Sequence, residues 1–340
     1  MKFATQSSTG LFLKKSAMDT RKVQMTGKST FVVTLPKKWV VSSKLRAGEE
    51  LGFSYQDNGS VLLIPPKFRE EHLVKRISAD RNFDFVERDI TALYVLGSYN
   101  SIEIRGEAID FEKRERIKVL CKNLIGYEIV ESSPRKIIIQ DLLNTEDINI
   151  EKVAIRMFSL VFLMFDDITN ILNESRMLQG KEMAPRRIDL ERTHTLVSRM
   201  YVEKMNIKKV SFKDNLSLVR AFYCRLAAEN ANHIGELLEN IAFHTKNDYI
   251  SKKSILEIEE LCSFLRDMFR DSFESFKLAD SVLANEVIER GTKLDSRIDA
   301  IRDTRNIIEE PRMEIILDAF GKLRDYNSNI AKLAIEVSHL

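Results

Sequence analysis

Seven cationic side chains stand between positions 21 and 46, and no aspartate or glutamate interrupts them: Arg21, Lys22, Lys28, Lys37, Lys38, Lys44 and Arg46. The whole chain carries 53 Lys and Arg against 51 Asp and Glu, a formal net charge of +2. Its sum therefore says nothing about partners, and the local concentration of charge does. An acid-free basic cluster meets phosphates, and doubled in a dimer it gives a steep salt dependence. Ser29 and Thr30 follow Gly27-Lys28, and short donors beside a glycine suit close approach to a polyanionic backbone. Arg21, Lys22, Lys28, Ser29, Thr30, Lys37 and Lys38 are accordingly the candidate DNA-binding residues, with Arg21 and Lys28 foremost for base or phosphate contact. The competing reading is a solvated face that only surrounds a dimer core.

The elements that must carry these residues are short and β-rich. Arg21 to Met25 can extend until Gly27 breaks it, and Phe31-Val32-Val33-Thr34-Leu35 has the β-branched content of a strand. Pro36 suits the first turn of a short helix through Lys37 to Val41. Leu51 to Gln56 and Ser60 to Ile64 predict a hairpin around Asp57-Asn58-Gly59, closed by Pro65-Pro66. Trp39 reads as a core residue. About 45 residues with four strands and one helical turn bury little surface alone, so the unit needs a partner, most simply a second copy.

At 340 residues, 44% hydrophobic and 31% charged, with only 12 Gly and 6 Pro, the chain predicts two or three packed domains rather than a disordered polymer. Cys121, Cys224 and Cys262 lie far apart, without ligand or redox spacing, and read as buried reduced thiols of a cytoplasmic protein. Residues 1–18 have no signal-like apolar core and are expected to be a disordered lead-in, with Met18 an alternative start to Met1. The longest apolar stretch, Met157 to Phe165, covers half a bilayer span, so no membrane insertion is expected.

From Arg76 to Asp147 strands and a helix alternate. Thr91 to Leu96, Ser101 to Arg105, Tyr127 to Glu131 and Lys136 to Gln140 are predicted strands, and Asp110 to Asn123 an amphipathic helix. From Ile148 onward Ile150, Val153, Met157, Val161, Met164, Ile168 and Ile171 recur at three and four, the stripe of a core-facing helix. Breaks near Gly180, Pro185, Lys208, Thr245, Gly291 and Pro311 permit six long helices. Met164-Phe165-Asp166-Asp167 is echoed by Met268-Phe269-Arg270-Asp271, and Glu229-x-x-x-His233-Ile234 by Asp325-x-x-x-Asn329-Ile330, as a duplicated helical unit requires. The predicted boundaries are 1–18, 19–66, 67–147 and 148–340, the last divided into 148–246 and 247–340.

Two family resemblances follow from these motifs. Arg21-Lys22-Val23-Gln24, Gly27-Lys28-Ser29-Thr30, Leu35-Pro36-Lys37-Lys38-Trp39 and Leu45-x-x-Gly48-x-x-Leu51 resemble the SpoVT/AbrB family, whose intertwined homodimers bind DNA. The helical part resembles PhoU, the phosphate-uptake regulator. The order of the two is similar to that of archaeal PhoU-like phosphate uptake regulators. The implied fold class is multidomain α+β: an N-terminal swapped-hairpin AbrB-like domain, a small α+β connector, and a PhoU-like all-α domain of two three-helix bundles.

The PhoU resemblance also implies acidic pairs four apart on its helices that can hold a divalent or iron-type metal. Asp189-Leu190-Glu191-Arg192, followed by Arg199, resembles one family signature, and Lys293-Leu294-Asp295 is its counterpart. The metal candidates so implied are Glu191, Glu229, His233, Asp295 and Asp325, with His194 near in sequence. Arg187, Gly291, His233 and Asn329 stand where further acids would complete the pairs.

No enzyme is expected. There is no nucleophile elbow or paired-histidine helix motif, and Gly27-Lys28-Ser29 lacks the upstream glycine of a phosphate loop. The expected function is DNA-binding transcriptional regulation of phosphate or related ion uptake, with the helices receiving a signal. The alternative is an adaptor that dimerises through its N-terminus and regulates a transporter or kinase subunit by protein contacts.

Overall fold

Gly27 and Gly48 take backbone angles closed to most side chains, φ +72 and +88, and each turns the chain between short elements of a small N-terminal unit. In the computed structural model residues 19–55, 59–65, 73–145, 148–173, 180–206, 212–245, 250–303 and 311–340 are described. The chain divides into two compact units, residues to 55 with 60–71, and residues 72–340 with 56–59.

In the first unit strand β1 (Gln24–Thr26) pairs antiparallel with β2 (Thr30–Val32), with Met25 opposite Phe31. Helix α1 (Lys37–Ser42) begins after Pro36. Strands β3 (Gly52–Tyr55) and β4 (Val61–Ile64) form a second hairpin, Gly52 opposite Ile64. The strands are shorter than the sequence predicts, starting at Gln24 and ending at Val32. The expected lead-in, Pro66, and Asp57 and Asn58 of the second turn lie outside the described residues; Gly59 has φ +79. Among described residues 19–64 no side chain is buried, and Trp39, expected in a core, is half-buried.

The second unit opens with an α/β layer: β5 (Val74–Ser78), α2 (Phe83–Leu96), β6 (Ser101–Arg105), α3 (Phe111–Asn123), β7 (Tyr127–Ser132) and β8 (Lys136–Asp141). The sheet order is β5-β6-β8-β7, with β5 and β6 parallel and the other pairs antiparallel. Register puts Ile102 opposite Ile139 and Ile104 opposite Ile137. These four alternate onto one face and bury against Phe83, Val86, Ile90 and Tyr94 of α2 and Ile117 of α3. On the opposite face Glu103 accepts from Arg76 Nε at 2.9 Å and Arg105 Nη2 at 2.6 Å. Those bonds hold its carboxyl below the usual range.

Thr91 to Leu96 is not a strand but the last turns of α2, and β5 was not anticipated. The β-branched and aromatic run Thr91-Ala92-Leu93-Tyr94-Val95 imitates a strand locally. Asn82, whose side chain accepts from Asp84 N at 3.0 Å, starts a helix upstream of it, and the buried set Phe83, Val86, Ile90, Leu93 and Tyr94 keeps helical spacing.

Six helices complete the unit: α4 (Ile150–Asn173), α5 (Gly180–Asn206), α6 (Phe212–Thr245), α7 (Lys252–Leu278), α8 (Ser281–Asp303) and α9 (Pro311–Val337). α4, α5 and α6 pack mutually, as do α7, α8 and α9; the two bundles meet through α6 with α9 and α4 with α7. Met164, Phe165, Met268 and Phe269, the repeated pairs, are fully buried. The rings of Phe165 and Phe269 lie 5.8 Å apart, so equivalent positions of the two bundles meet at the seam.

Two expected breaks are not breaks. Pro185 lies inside α5, where it removes one amide from the ladder without ending the helix. Gly291 lies inside α8; a Cβ there would stand 3.2 Å from Arg324 Cδ, so the glycine lets α9 approach closely. The chain turns instead at Ala279, φ +54, and Asp280, whose carboxylate accepts from Val282 N at 2.9 Å.

The α/β layer is fastened to the bundles by one buried ion-pair network. Arg199 of α5, 2% exposed, donates to Asp141 at 3.2 and 2.6 Å and to Glu203 at 2.7 Å. Its guanidinium sits 4.9 Å from the centre of the Tyr94 ring. Burial alone would lower its pKa, but the bonds to Asp141 and Glu203 outweigh that and raise it. Burial likewise pushes the Tyr94 phenol up, and its hydroxyl donates to Ile125 O at 3.0 Å. Gly97, at the αL cap of α2, makes room for Glu203: a Cβ there would lie 2.7 Å from Glu203 Cγ.

In the second bundle Asn327 of α9 is fully buried, and neither side-chain amide atom has a hydrogen-bond partner among the described residues. A buried unbonded polar group costs about 1–3 kcal/mol. Asn327→Leu is therefore expected to raise stability by about 1–3 kcal/mol, seen as a higher denaturant midpoint at unchanged m-value.

Candidate nucleic-acid interface and the helical acid positions

The hairpin β1–β2 presents Gly27-Lys28-Ser29 at its tip, with Thr30 starting the return strand. Glycine is needed there because the tip takes a positive φ, and it leaves the backbone amides open to a ligand. Lys28, Ser29 and Thr30 are all exposed. Arg21 and Lys22 precede β1 and are exposed; Arg21 Nη1 pairs with Asp19 at 3.2 Å. Lys37 and Lys38 form the first turn of α1 and are exposed as well. Lys44 takes a positive φ of 53, and Arg46 lends its amide to Glu49 Oε2 at 2.8 Å. Three structural features of one small unit thus carry the predicted cations: a strand entry, a hairpin tip and a helix start.

The same unit exposes its apolar side chains. Phe31 is 70% and Tyr55 82% exposed, and Val23, Met25, Val41 and Phe53 are all more than half exposed. Each such side chain forgoes about 1.5–3 kcal/mol of burial. Among described residues 19–64 no buried core offsets the ordering of this segment.

The helical acid positions lie on α5, α6, α8 and α9. Glu191 is exposed on α5. Glu229 accepts from His194 Nε2 at 2.9 Å and lies 3.6 Å from His233 Nε2, and the His233 ring stacks on Tyr326 at 4.9 Å. In the second bundle Arg324 occupies the place between the acids: it donates to Asp295 at 2.7 Å and pairs with Asp325 at 3.3 Å. Arg187 of α5 donates to Asn232 at 2.9 Å. Among the described residues no three His, Cys, Asp or Glu side chains converge as a ligand set. Arg324 stands beside Asp295 and Asp325, and Glu229 stands beside His194 and His233.

Arg199 is the residue whose role sequence reasoning missed. Its spacing gives no sign of Asp141, 58 positions away. Cys121, Cys224 and Cys262 are free and buried. Among the described residues no helix is long and apolar enough to cross a membrane.

The hairpin domain is similar to one known family, and the helical part to two solved structures. The family model for antidote-toxin recognition MazE, a bacterial antitoxin, matches residues 24–71. The structure of PhoU from Pseudomonas aeruginosa is similar over 56% of this chain and 95% of that one, at 15% identity and a TM-score of 0.49. The phosphate transport system regulatory protein PhoU from Streptococcus pneumoniae is similar over 55% of this chain and 92% of its own, at 11% identity and a TM-score of 0.41. No curated protein matches the chain in sequence.

Proposed function

We propose that the protein is a cytoplasmic homodimeric DNA-binding regulator of transcription, acting on phosphate or related ion uptake, whose helical unit receives the signal. The observation that carries this reading is the acid-free set of exposed cations on a unit whose described residues 19–64 bury no side chain. Two copies would bury the exposed apolar side chains against each other and place fourteen cations, seven from each copy, on one assembly. Contacts from Lys22, Ser29, Thr30, Lys37 and Lys38 would set position, and Arg21 and Lys28 would be foremost for base or phosphate contact. The link to phosphate rests on the resemblance of the sequence motifs alone.

Recovery of bound DNA from cells grown in high and low phosphate tests binding, target and signal together. Enrichment near ion-uptake genes that changes with phosphate is the expected result. Recovery of transporter or kinase subunits with no DNA would replace this reading with the adaptor.

The dimer has its own test. The intact protein is expected to show a dimer mass by light scattering, and Phe31→Asp to shift it to monomer while the helical circular dichroism signal is kept. A charge in that apolar face would be buried without a partner. A wild-type monomer at micromolar concentration would remove the dimer.

A further inference from the structure

Where the two bundles meet, four helices leave a cleft of about 80 Å³. Ala154, Ile155 and Phe158 of α4, Cys224 of α6, Phe273 and Phe276 of α7 and Val337 of α9 make its wall, and Glu151, Arg220, Tyr223 and Lys277 stand at its rim. Protein interiors leave few voids larger than a water, so an apolar space at a seam requires side chains that stop short of it. Ala154 and Cys224 do so here, both nearly fully buried. Phe158 cannot swing in to fill the gap, because it is held by Phe273 at 4.5 Å and Phe269 at 5.5 Å. Burial pushes the Cys224 thiol up to about 12, which leaves it an uncharged wall rather than a nucleophile.

The rim supplies the polar contacts. Arg220 is 54% exposed, and its nearest described acid, Glu151, is 3.9 Å away, at the limit of an ion pair. Lys277 is 47% exposed, with Glu274 at 3.2 Å and the Phe273 ring 5.8 Å from its ammonium. The Tyr223 hydroxyl is already bonded to Glu336. Arg220 and Lys277 line the mouth beside Glu151, with Glu274 and Glu336 next to Lys277 and Tyr223, and both cations have more N–H donors than these carboxylates use.

We propose that this cleft is a site for a small amphipathic carboxylate, its short carbon chain inserted between the bundles and its carboxylate held by Arg220 and Lys277. A cavity of about 150 Å³ holds benzene, so this one takes a few carbons or the edge of a ring. Such a ligand touches both bundles and binds tighter to the packing that forms the cleft, which makes it a candidate input signal. The binding itself does not depend on the DNA reading.

Calorimetric titration of the full-length protein with acetate, butanoate, hexanoate, hexan-1-ol and hexylamine tests it. Affinity is expected to rise about fourfold per methylene until the cleft is full. Hexylamine should bind at least about tenfold more weakly than hexanoate, and Arg220→Ala with Lys277→Ala should weaken hexanoate by at least about tenfold. Both positions are exposed, so the thermal midpoint of the unliganded double variant should stay at the wild-type value. Ala154→Leu should block the chain from entering while leaving the rim intact. Absence of carboxylate binding in the millimolar range would overturn the proposal. So would equal affinity for the amine, or undiminished binding in both the double variant and Ala154→Leu.

Discussion

Arg199→Ala is expected to destabilise the second unit by about 3–5 kcal/mol. It should also loosen the α/β layer from the helices. The side chain is 2% exposed and serves two carboxylates at once. Its removal leaves Asp141, whose side chain is 9% exposed, as a buried charge with no counterion among the described residues. Among the described residues Asp141 retains the Leu143 amide, at 3.1 Å. The ring face of Tyr94 loses its cation as well. A urea titration followed by far-ultraviolet dichroism reports the loss. Hydrogen exchange should show early opening in Tyr94, Tyr127 and the β8 amides, ahead of the bundle cores. Asp141→Asn alone should cost less, since an amide keeps a hydrogen bond to the guanidinium, and the double variant should fall short of additivity because the two share one interaction. Additive losses with unchanged exchange in β8 would mean that the pair does not join the layers.

Arg21→Ala combined with Lys28→Ala is expected to abolish DNA binding while the dimer stays folded. In a dimer the two substitutions remove four cations, and if each meets a phosphate the slope of log K against log salt falls by roughly 3.6. The affinity loss is then largest at low salt, where counterion release contributes most. Both side chains are exposed, so neither substitution opens a cavity. The Asp19 contact to Arg21 is also exposed and its loss costs little. Affinity unchanged in a low-salt titration would return the basic cluster to a solubilising role. A lost affinity with an unchanged salt slope would point to base contacts in place of phosphate contacts.

Much of the architecture was legible because it rests on local or periodic signals. The first hairpin shows through Gly27 and its β-branched flank. α1 shows through Pro36, α3 through Asp110 and its charged face, and the six long helices through apolar spacing at three and four. Errors came where two local signals conflict. Thr91 to Val95 is β-branched and aromatic, yet the cap at Asn82 and the buried face of α2 outweigh it. Gly291 looks like a break, yet it is the point where α8 admits Arg324. Val74 to Ser78 carries three polar residues in five and becomes a strand because β6 pairs with it in parallel.

By itself the sequence determined the acid-free basic cluster and the duplicated helical pattern, because charge and periodicity are properties of the chain itself. Only the tertiary structure decided the rest. It set Arg199 against Asp141 across 58 positions, placed Arg324 between Asp295 and Asp325, and left a cleft between Ala154 and Cys224. Those outcomes depend on which helix faces meet. That is fixed by the simultaneous packing of all the helices around a shared core, and no spacing within one segment encodes it.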